Sequence, residues 1–151
     1  MRRAIKAIIA GSLLLVVAET AIADPFADGV AALDRRDYAT ALQLLRPLAE
    51  SGNLDAQINL ANMYFDGNGV PQDYREGVKW YQLAADKGSA DAQIALGFLY
   101  EYGDAVRQDY VQAYKWFDLA DVPSYRDAVA AKMTPAQIAQ AQQLTKEWKA
   151  K

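Results

Sequence analysis

The chain has 151 residues, with 16 basic and 19 acidic side chains, no histidine and no cysteine. This length suits one domain with its own core, and a net charge of −3 without a basic run disfavours nucleic acid as a partner. The lack of histidine and cysteine excludes Ser-His-Asp and Cys-His nucleophiles and zinc sites built from these ligands, so we expect no catalytic residue, metal or cofactor.

The first 23 residues have the three-part pattern of a secretory signal peptide. Arg2 and Arg3 give a positive start, residues 7–17 are apolar, and small residues end at Ala23. The apolar run is too short to span a bilayer as a helix. We therefore expect cleavage after Ala23, a periplasmic or secreted protein of residues 24–151, and no stable membrane insertion afterwards. An uncleaved N-terminal amphipathic helix is the alternative interpretation.

Residues 26–51 read as the first pair of antiparallel helices. Asp37 stands where the N-cap of the second helix is expected, and an apolar pattern follows it. Pro47 lies inside this helix, where the loss of a backbone hydrogen bond predicts a kink.

The next two units repeat each other with a period of 36 residues. Residues 55–85 align without a gap on residues 91–121, and 15 of the 31 aligned positions are identical. A fixed period of this size is typical of a solenoid. Each unit has two helical patterns, which predicts helix pairs at about 55–88 and 91–121. Trp80 and Trp116 occupy matching positions and are predicted to be buried.

Capping signals mark the second helix of each repeat. Asp73 and Asp109 are predicted N-caps, and Glu76 and Gln112 are predicted to complete capping boxes with them.

The stretch DGNGVPQDY, residues 66–74, is interpreted as a turn between two helices and not as a ligand loop. Gly67 and Gly69 would supply positive φ values. The second copy has Ala105 in place of one glycine, so a left-handed residue is predicted at Asp104 instead. The acidic spacing does not match an EF-hand loop.

After the second repeat, residues 122–124 break the pattern and residues 124–149 are predicted to close the stack. One helix is expected from Tyr125 to Met133. Thr134, Pro135 and Gln137 then predict the start of a capping helix that runs to about Lys149. The sequence thus predicts an all-α solenoid with about eight helices and no strand.

At these residues the chain resembles the Sel-one-like repeat family, a branch of the tetratricopeptide superfamily. The matching residues of the first copy are Ala56, Leu60, Tyr64, Gly67, Gly69, Val70, Asp73, Trp80, Ala84, Ala85 and Gly88. Those of the second copy are Ala92, Leu96, Gly97, Tyr100, Gly103, Val106, Asp109, Ala113, Trp116 and Ala120. The resemblance implies a helical scaffold or adaptor. Some cysteine-rich relatives are associated with β-lactamase or penicillin-binding activity, but their disulfide framework is absent here.

The resemblance also implies that the first helix of each pair lines a concave groove. The residues expected to face it are Ile58, Asn62, Phe65, Asp66, Ile94, Phe98, Glu101 and Tyr102. Exposed aromatic residues in this set favour contact with a protein or peptide partner. The alternative is that the N-terminal and C-terminal helices fold over them.

Three functions follow from this interpretation. The first is an exported module that binds a protein or peptide in the groove. The second is a protein that binds cell-wall peptidoglycan or muropeptide through Asn62, Tyr102 and the aromatic residues. The third, and the weakest, is a β-lactamase-like hydrolase.

Overall fold

The computed structural model describes residues 24–150, and within this range the chain forms eight α-helices and no strand. The helices are α1 Pro25–Asp34, α2 Tyr38–Glu50, α3 Leu54–Asp66, α4 Tyr74–Asp86, α5 Ala90–Tyr102, α6 Tyr110–Leu119, α7 Pro123–Ala130 and α8 Pro135–Glu147. The predicted all-α fold is confirmed. The predicted signal peptide lies outside the described residues.

The helices pack in sequence as a stack of antiparallel pairs. α1 packs on α2, α3 on α4 and α5 on α6, while α2 meets α3 and α4 meets α5. Both α7 and α8 pack on α6. The predicted solenoid is therefore present, with α8 as the helix that caps its C-terminal end. α2 continues through Pro47 to Glu50.

Short polar side chains start most of the helices. The N-cap side chains of α2, α3, α4, α5 and α6 accept hydrogen bonds from amides in the first turn; they belong to Asp37, Asn53, Asp73, Ser89 and Asp109. These bonds satisfy donors that have no partner inside a helix.

The predicted capping boxes at α4 and α6 are wrong. A box requires a side chain to accept from the N-cap amide, but the Asp73 amide already donates to Tyr64 O at 3.0 Å and the Asp109 amide to Tyr100 O at 2.9 Å. Glu76 pairs with Lys79 instead. The box predicted at α8 is formed, because Thr134 N donates to Gln137 Oε1 at 2.8 Å and Gln137 N to Thr134 Oγ1 at 3.3 Å.

The glycine loop is a turn between α3 and α4. Gly67 and Gly69 have φ values of 70° and 74°. In the second copy, Gly103 and Ala105 have φ values of 76° and 63°, so the left-handed residue is Ala105 and the prediction for Asp104 is wrong. The backbone keeps the same path in both copies, and Ala105 adopts the conformation that glycine has at the matching position.

The core lies between the helix pairs and is built from small and large residues in contact. Its largest fully buried side chains include Trp116, Phe117, Leu45, Leu60, Met63 and Leu96. Trp116 is 2% exposed, as predicted. Trp80 is only partly buried against the N-terminal core cluster, so the prediction of a buried Trp80 holds only in part.

Candidate functional site

Helices α1, α3 and α5 line one hollow together, and two further neighbouring hollows lie among α3, α4, α5 and the loop after α5. The first of these two, called the aromatic hollow here, has a volume of about 280 Å³. It is lined by Phe65, Tyr81, Ala95, Phe98, Leu99, Tyr102 and Asp104. An adjoining hollow of about 380 Å³ shares Phe65, Leu99 and Asp104 with it and adds Tyr74 and Ala105.

Phe65 forms the α3 wall of the aromatic hollow and also holds α3 against α4. Its ring lies 5.5 Å from the Tyr74 ring and 5.6 Å from the Tyr81 ring, measured between centroids. The same ring covers Gly77 of α4, where any side chain would collide with it. Phe65 is half-buried. One part of its ring packs against α4, and another part lines the aromatic hollow.

Phe98 and Tyr102 lie four residues apart on α5 and form the opposite wall. The Phe98 ring is 5.0 Å from that of buried Phe117 and 4.9 Å from that of Tyr125 on α7. A helix from the C-terminal end therefore covers part of Phe98, as the alternative interpretation expected. Tyr102 stacks on Phe98 at 6.1 Å and remains 62% exposed.

Polar groups from α3 surround the Tyr81 hydroxyl. Asn62 Oδ1 accepts a hydrogen bond from this hydroxyl. Burial, and then the negative charge of Asp66, raise the pKa of Tyr81 above its ordinary value. Tyr81 therefore keeps its proton and acts as a donor at neutral pH. Asp66 is exposed at the end of α3.

Three of the residues expected in the groove do not line the aromatic hollow. Ile58 is half-buried and lines another hollow of about 350 Å³ with Phe26 and Val30 of α1. Ile94 packs on the core cluster around α6 and α8. The expectation for Glu101 is corrected: it is 7% exposed, and its carboxylate lies 2.8 Å from Lys132 Nζ.

The Glu101 carboxylate is drawn away from the groove because Lys132 offers a positive charge between α7 and α8. Their hydrogen bond raises the pKa of Lys132. The pair ties α5 to the C-terminal segment, which is a structural role.

The residues expected in the groove did not include Tyr81, Ala95, Leu99 or Asp104, which also line the aromatic hollow. Tyr81 aligns with Phe117 in the second repeat, and Phe117 is fully buried, so the matching position gives no sign of a hollow. A loop residue such as Asp104 has no helical period that could place it. The position of Asp104 depends on the path of the turn after α5.

A larger and more polar hollow of about 680 Å³ lies between the α5–α6 loop and the start of α8. It is lined by Tyr100, Val106, Arg107, Gln108, Asp109, Tyr110 and Gln137. Nothing in the sequence predicted it, because it depends on the position of α8.

Within residues 24–150 no group of three or more acidic side chains is placed to hold a metal ion. None of the helices in that range has the length and apolar character needed to cross a membrane.

Comparison with known proteins finds a family model that matches most of this helical stack. A model of the Sel1 repeat matches residues 27–53, 54–89 and 90–120, one match for each of the first three helix pairs. No match was found among curated proteins.

Two solved structures are similar to the chain. One is c5321, a protective antigen present in uropathogenic Escherichia coli strains displaying an SLR fold, with 33% identity and a TM-score of 0.75 over 83% of this chain and 30% of that one. The other is a Sel1 repeat protein from Oxalobacter formigenes, with 30% identity and a TM-score of 0.59 over 63% of this chain and 39% of that one. The chain thus spans well under half the length of either structure. Its three matched repeats show that it belongs to the Sel1 repeat family.

Proposed function

We propose that this chain is an exported interaction module that binds a protein or peptide segment in the aromatic hollow. Sel1 repeat proteins generally mediate protein–protein interactions. The observation that carries the proposal is Tyr102, a large aromatic side chain that is 62% exposed beside apolar side chains from α3, α4 and α5. An exposed aromatic at the edge of an apolar depression is the arrangement found at binding anchors.

The walls of the hollow support this role because they are held in place before any partner arrives. Phe65 is fixed by two tyrosine rings, and Phe98 by Phe117 and Tyr125. A preformed site loses little side-chain freedom on binding, so more of the contact energy appears as affinity. Tyr102 and Asn62 add polar groups at the rim, which is common in non-obligate interfaces.

Site-specific photocrosslinking tests the proposal in cells that export the protein. A photoreactive amino acid is placed at Tyr102 in one variant and at Leu83 in a control. Leu83 is 47% exposed on α4 and lines neither hollow. We expect a discrete adduct with one protein from position 102 and none from position 83. No adduct from position 102, or the same adducts from both positions, contradicts the proposal.

Cell-wall binding is the second candidate, and the polar hollow beside α8 is the observation that favours it. Two tyrosines, Tyr100 and Tyr110, lie there with the guanidinium-bearing Arg107, a combination suited to the rings and carboxylates of muropeptides. Cosedimentation of the purified protein with peptidoglycan tests this candidate. Retention in the pellet that is lost in Arg107→Gln would favour it over the aromatic hollow.

A further inference from the structure

The charges of this molecule are segregated by helix. Helix α4 adds Tyr74 and Tyr81 to the hollows and carries Arg75 and Lys79, whereas α1, α3 and α5, which line another hollow together, contain no lysine or arginine. They carry six acidic residues: Asp28, Asp34, Asp55, Asp66, Asp91 and Glu101. Glu101 forms an ion pair with Lys132, and the other five acidic residues are exposed. Neither the aromatic hollow nor the adjoining one has a basic residue among the described side chains that line it.

Two of the carboxylates near the aromatic hollow occupy places that are unfavourable for the free protein. Asp66 is the last residue of α3, and Asp104 follows the C-cap of α5. The negative end of the helix dipole lies at both positions, so a negative charge there is destabilised. No lysine or arginine forms an ion pair with either carboxylate among residues 24–150. Asp55 and Asp91, in contrast, lie in first turns, where the dipole stabilises them.

The position of Asp104 joins these charges to the aromatic surface. Asp104 lines both hollows, and Asp66 directly follows Phe65, the residue of α3 that lines both of them. A cation that entered here would meet carboxylates and the exposed Tyr102 ring together. Arginine suits such a site better than lysine does, because its planar guanidinium stacks on aromatic rings while it pairs with carboxylates.

Resting on the proposed function, we propose that the segment bound in the aromatic hollow is cationic: an arginine side chain stacks at Tyr102 and pairs with Asp104 and Asp66, and an adjacent apolar side chain enters the hollow. The net charge of −3 supports the choice of partner. An acidic segment or an anionic lipid surface would be repelled by the same face, whereas a basic segment would be attracted during approach.

Titration of the purified protein with three capped pentapeptides tests this inference. In each, leucine occupies two positions and the other three hold arginine, glutamine or glutamate, so that only the charge differs. Amide chemical shifts report which residues respond. We expect the arginine peptide to shift residues around Tyr102 and Asp104, with little response to the other two peptides. Raising the salt from 50 to 500 mM should weaken its binding, because partly exposed ion pairs are screened.

Two charge-matched variants complete the test. The double variant Asp66→Asn/Asp104→Asn should bind the arginine peptide about threefold to tenfold more weakly than the unchanged protein does. This is the effect expected for the loss of two partly exposed ion pairs. The control, Asp34→Asn with Asp121→Asn, removes the same charge from exposed positions that line neither hollow. Equal affinity in both variants, equal binding of the glutamine peptide, or no binding of any peptide overturns the inference. If a Tyr102 crosslink to a protein persists in that case, the proposed function stands and only the cationic partner is rejected.

Discussion

At the scale of single residues, the two repeated tryptophans have different surroundings despite matching positions. Trp116 is 2% exposed between α5 and α6, whereas Trp80 is only partly covered by the N-terminal cluster. Trp116 packs in a cluster with Ala84, Ala85, Ala92 and Leu96 of α4 and α5, which encloses its ring, whereas Trp80 lies at the edge of its cluster. The energetic cost of removing the two rings should differ accordingly.

We predict that Trp116→Ala lowers the free energy of unfolding by about 3–5 kcal/mol, since it leaves a large cavity in a closed core. Trp80→Ala should cost clearly less, because part of that ring already contacts water. Urea denaturation followed by circular dichroism gives both values. An equal loss in the two variants would show that Trp80 is as well packed as Trp116.

Two buried glutamines explain another pair of identical positions in the repeats. Gln57 Nε2 donates to Ala49 O at 3.0 Å, and Gln93 Nε2 donates to Ala85 O at 3.1 Å. Each acceptor is a carbonyl near the C-terminal end of the preceding helix, and it also accepts a hydrogen bond from a glycine amide just after that helix, Gly52 N at 3.0 Å or Gly88 N at 2.9 Å. The glutamines therefore connect one repeat to the next.

Replacing Gln93 by methionine should destabilise the protein by about 0.5–1.5 kcal/mol, because the buried hydrogen bond to the Ala85 carbonyl is lost while Gly88 N still donates to that carbonyl. Gln43→Met is the matched control, since Gln43 is exposed on α2. Thermal unfolding of both variants measures the difference. Similar melting temperatures for the two would mean that water or another donor replaces the amide.

At the scale of helices, the last helix depends on tertiary contacts that the repeat pattern does not describe. α8 packs on α6 through Ala141, which is fully buried, with Ile138 and Leu144 beside it. Its capping box defines where it begins. The start signal at Thr134, Pro135 and Gln137 predicted where this helix begins but gave no information on which helix it would contact.

Ala141→Asp should detach α8 and lower stability by about 3–5 kcal/mol, because it places an unpaired charge in the core. Ala139→Asp introduces the same residue on the exposed side of the same helix and serves as the control. Differential scanning calorimetry of both variants tests this. A similar melting temperature for Ala141→Asp and Ala139→Asp would place α8 outside the cooperative core.

The helices were predictable from the sequence, whereas much of the site was not. The repeat period and the caps at Asp73 and Asp109 predicted α3 to α6, because these signals are local and occur twice. Glu101 and Phe98 contact Lys132 and Tyr125, which belong to a C-terminal segment that has no repeated copy. Contacts between a repeat and a unique segment leave no periodic signal, so the burial of Glu101 and the partial cover over Phe98 could not be predicted.

At the scale of the whole molecule, export remains a prediction that rests on residues 1–23. The positive start, the apolar run and the small residues that end at Ala23 form the signal pattern. We predict that protein purified from the periplasm or the medium has the intact mass of residues 24–151. Electrospray mass spectrometry measures it, with the unprocessed chain made in vitro as the reference. A soluble species that retains residues 1–23 would contradict the prediction.

Binding of the partner in the aromatic hollow can be tested by one affinity measurement. The protein captured at position 102 is titrated with the unchanged chain, with Tyr102→Ser and with Leu83→Ser by isothermal calorimetry. Tyr102 is the residue to substitute, and not Phe98, because the Phe98 ring also packs against Phe117 and its removal would disturb the core. We predict that Tyr102→Ser weakens binding about thirtyfold, the effect of losing an aromatic anchor, while Leu83→Ser binds as the unchanged chain does. Unchanged affinity of Tyr102→Ser for this partner would contradict the account.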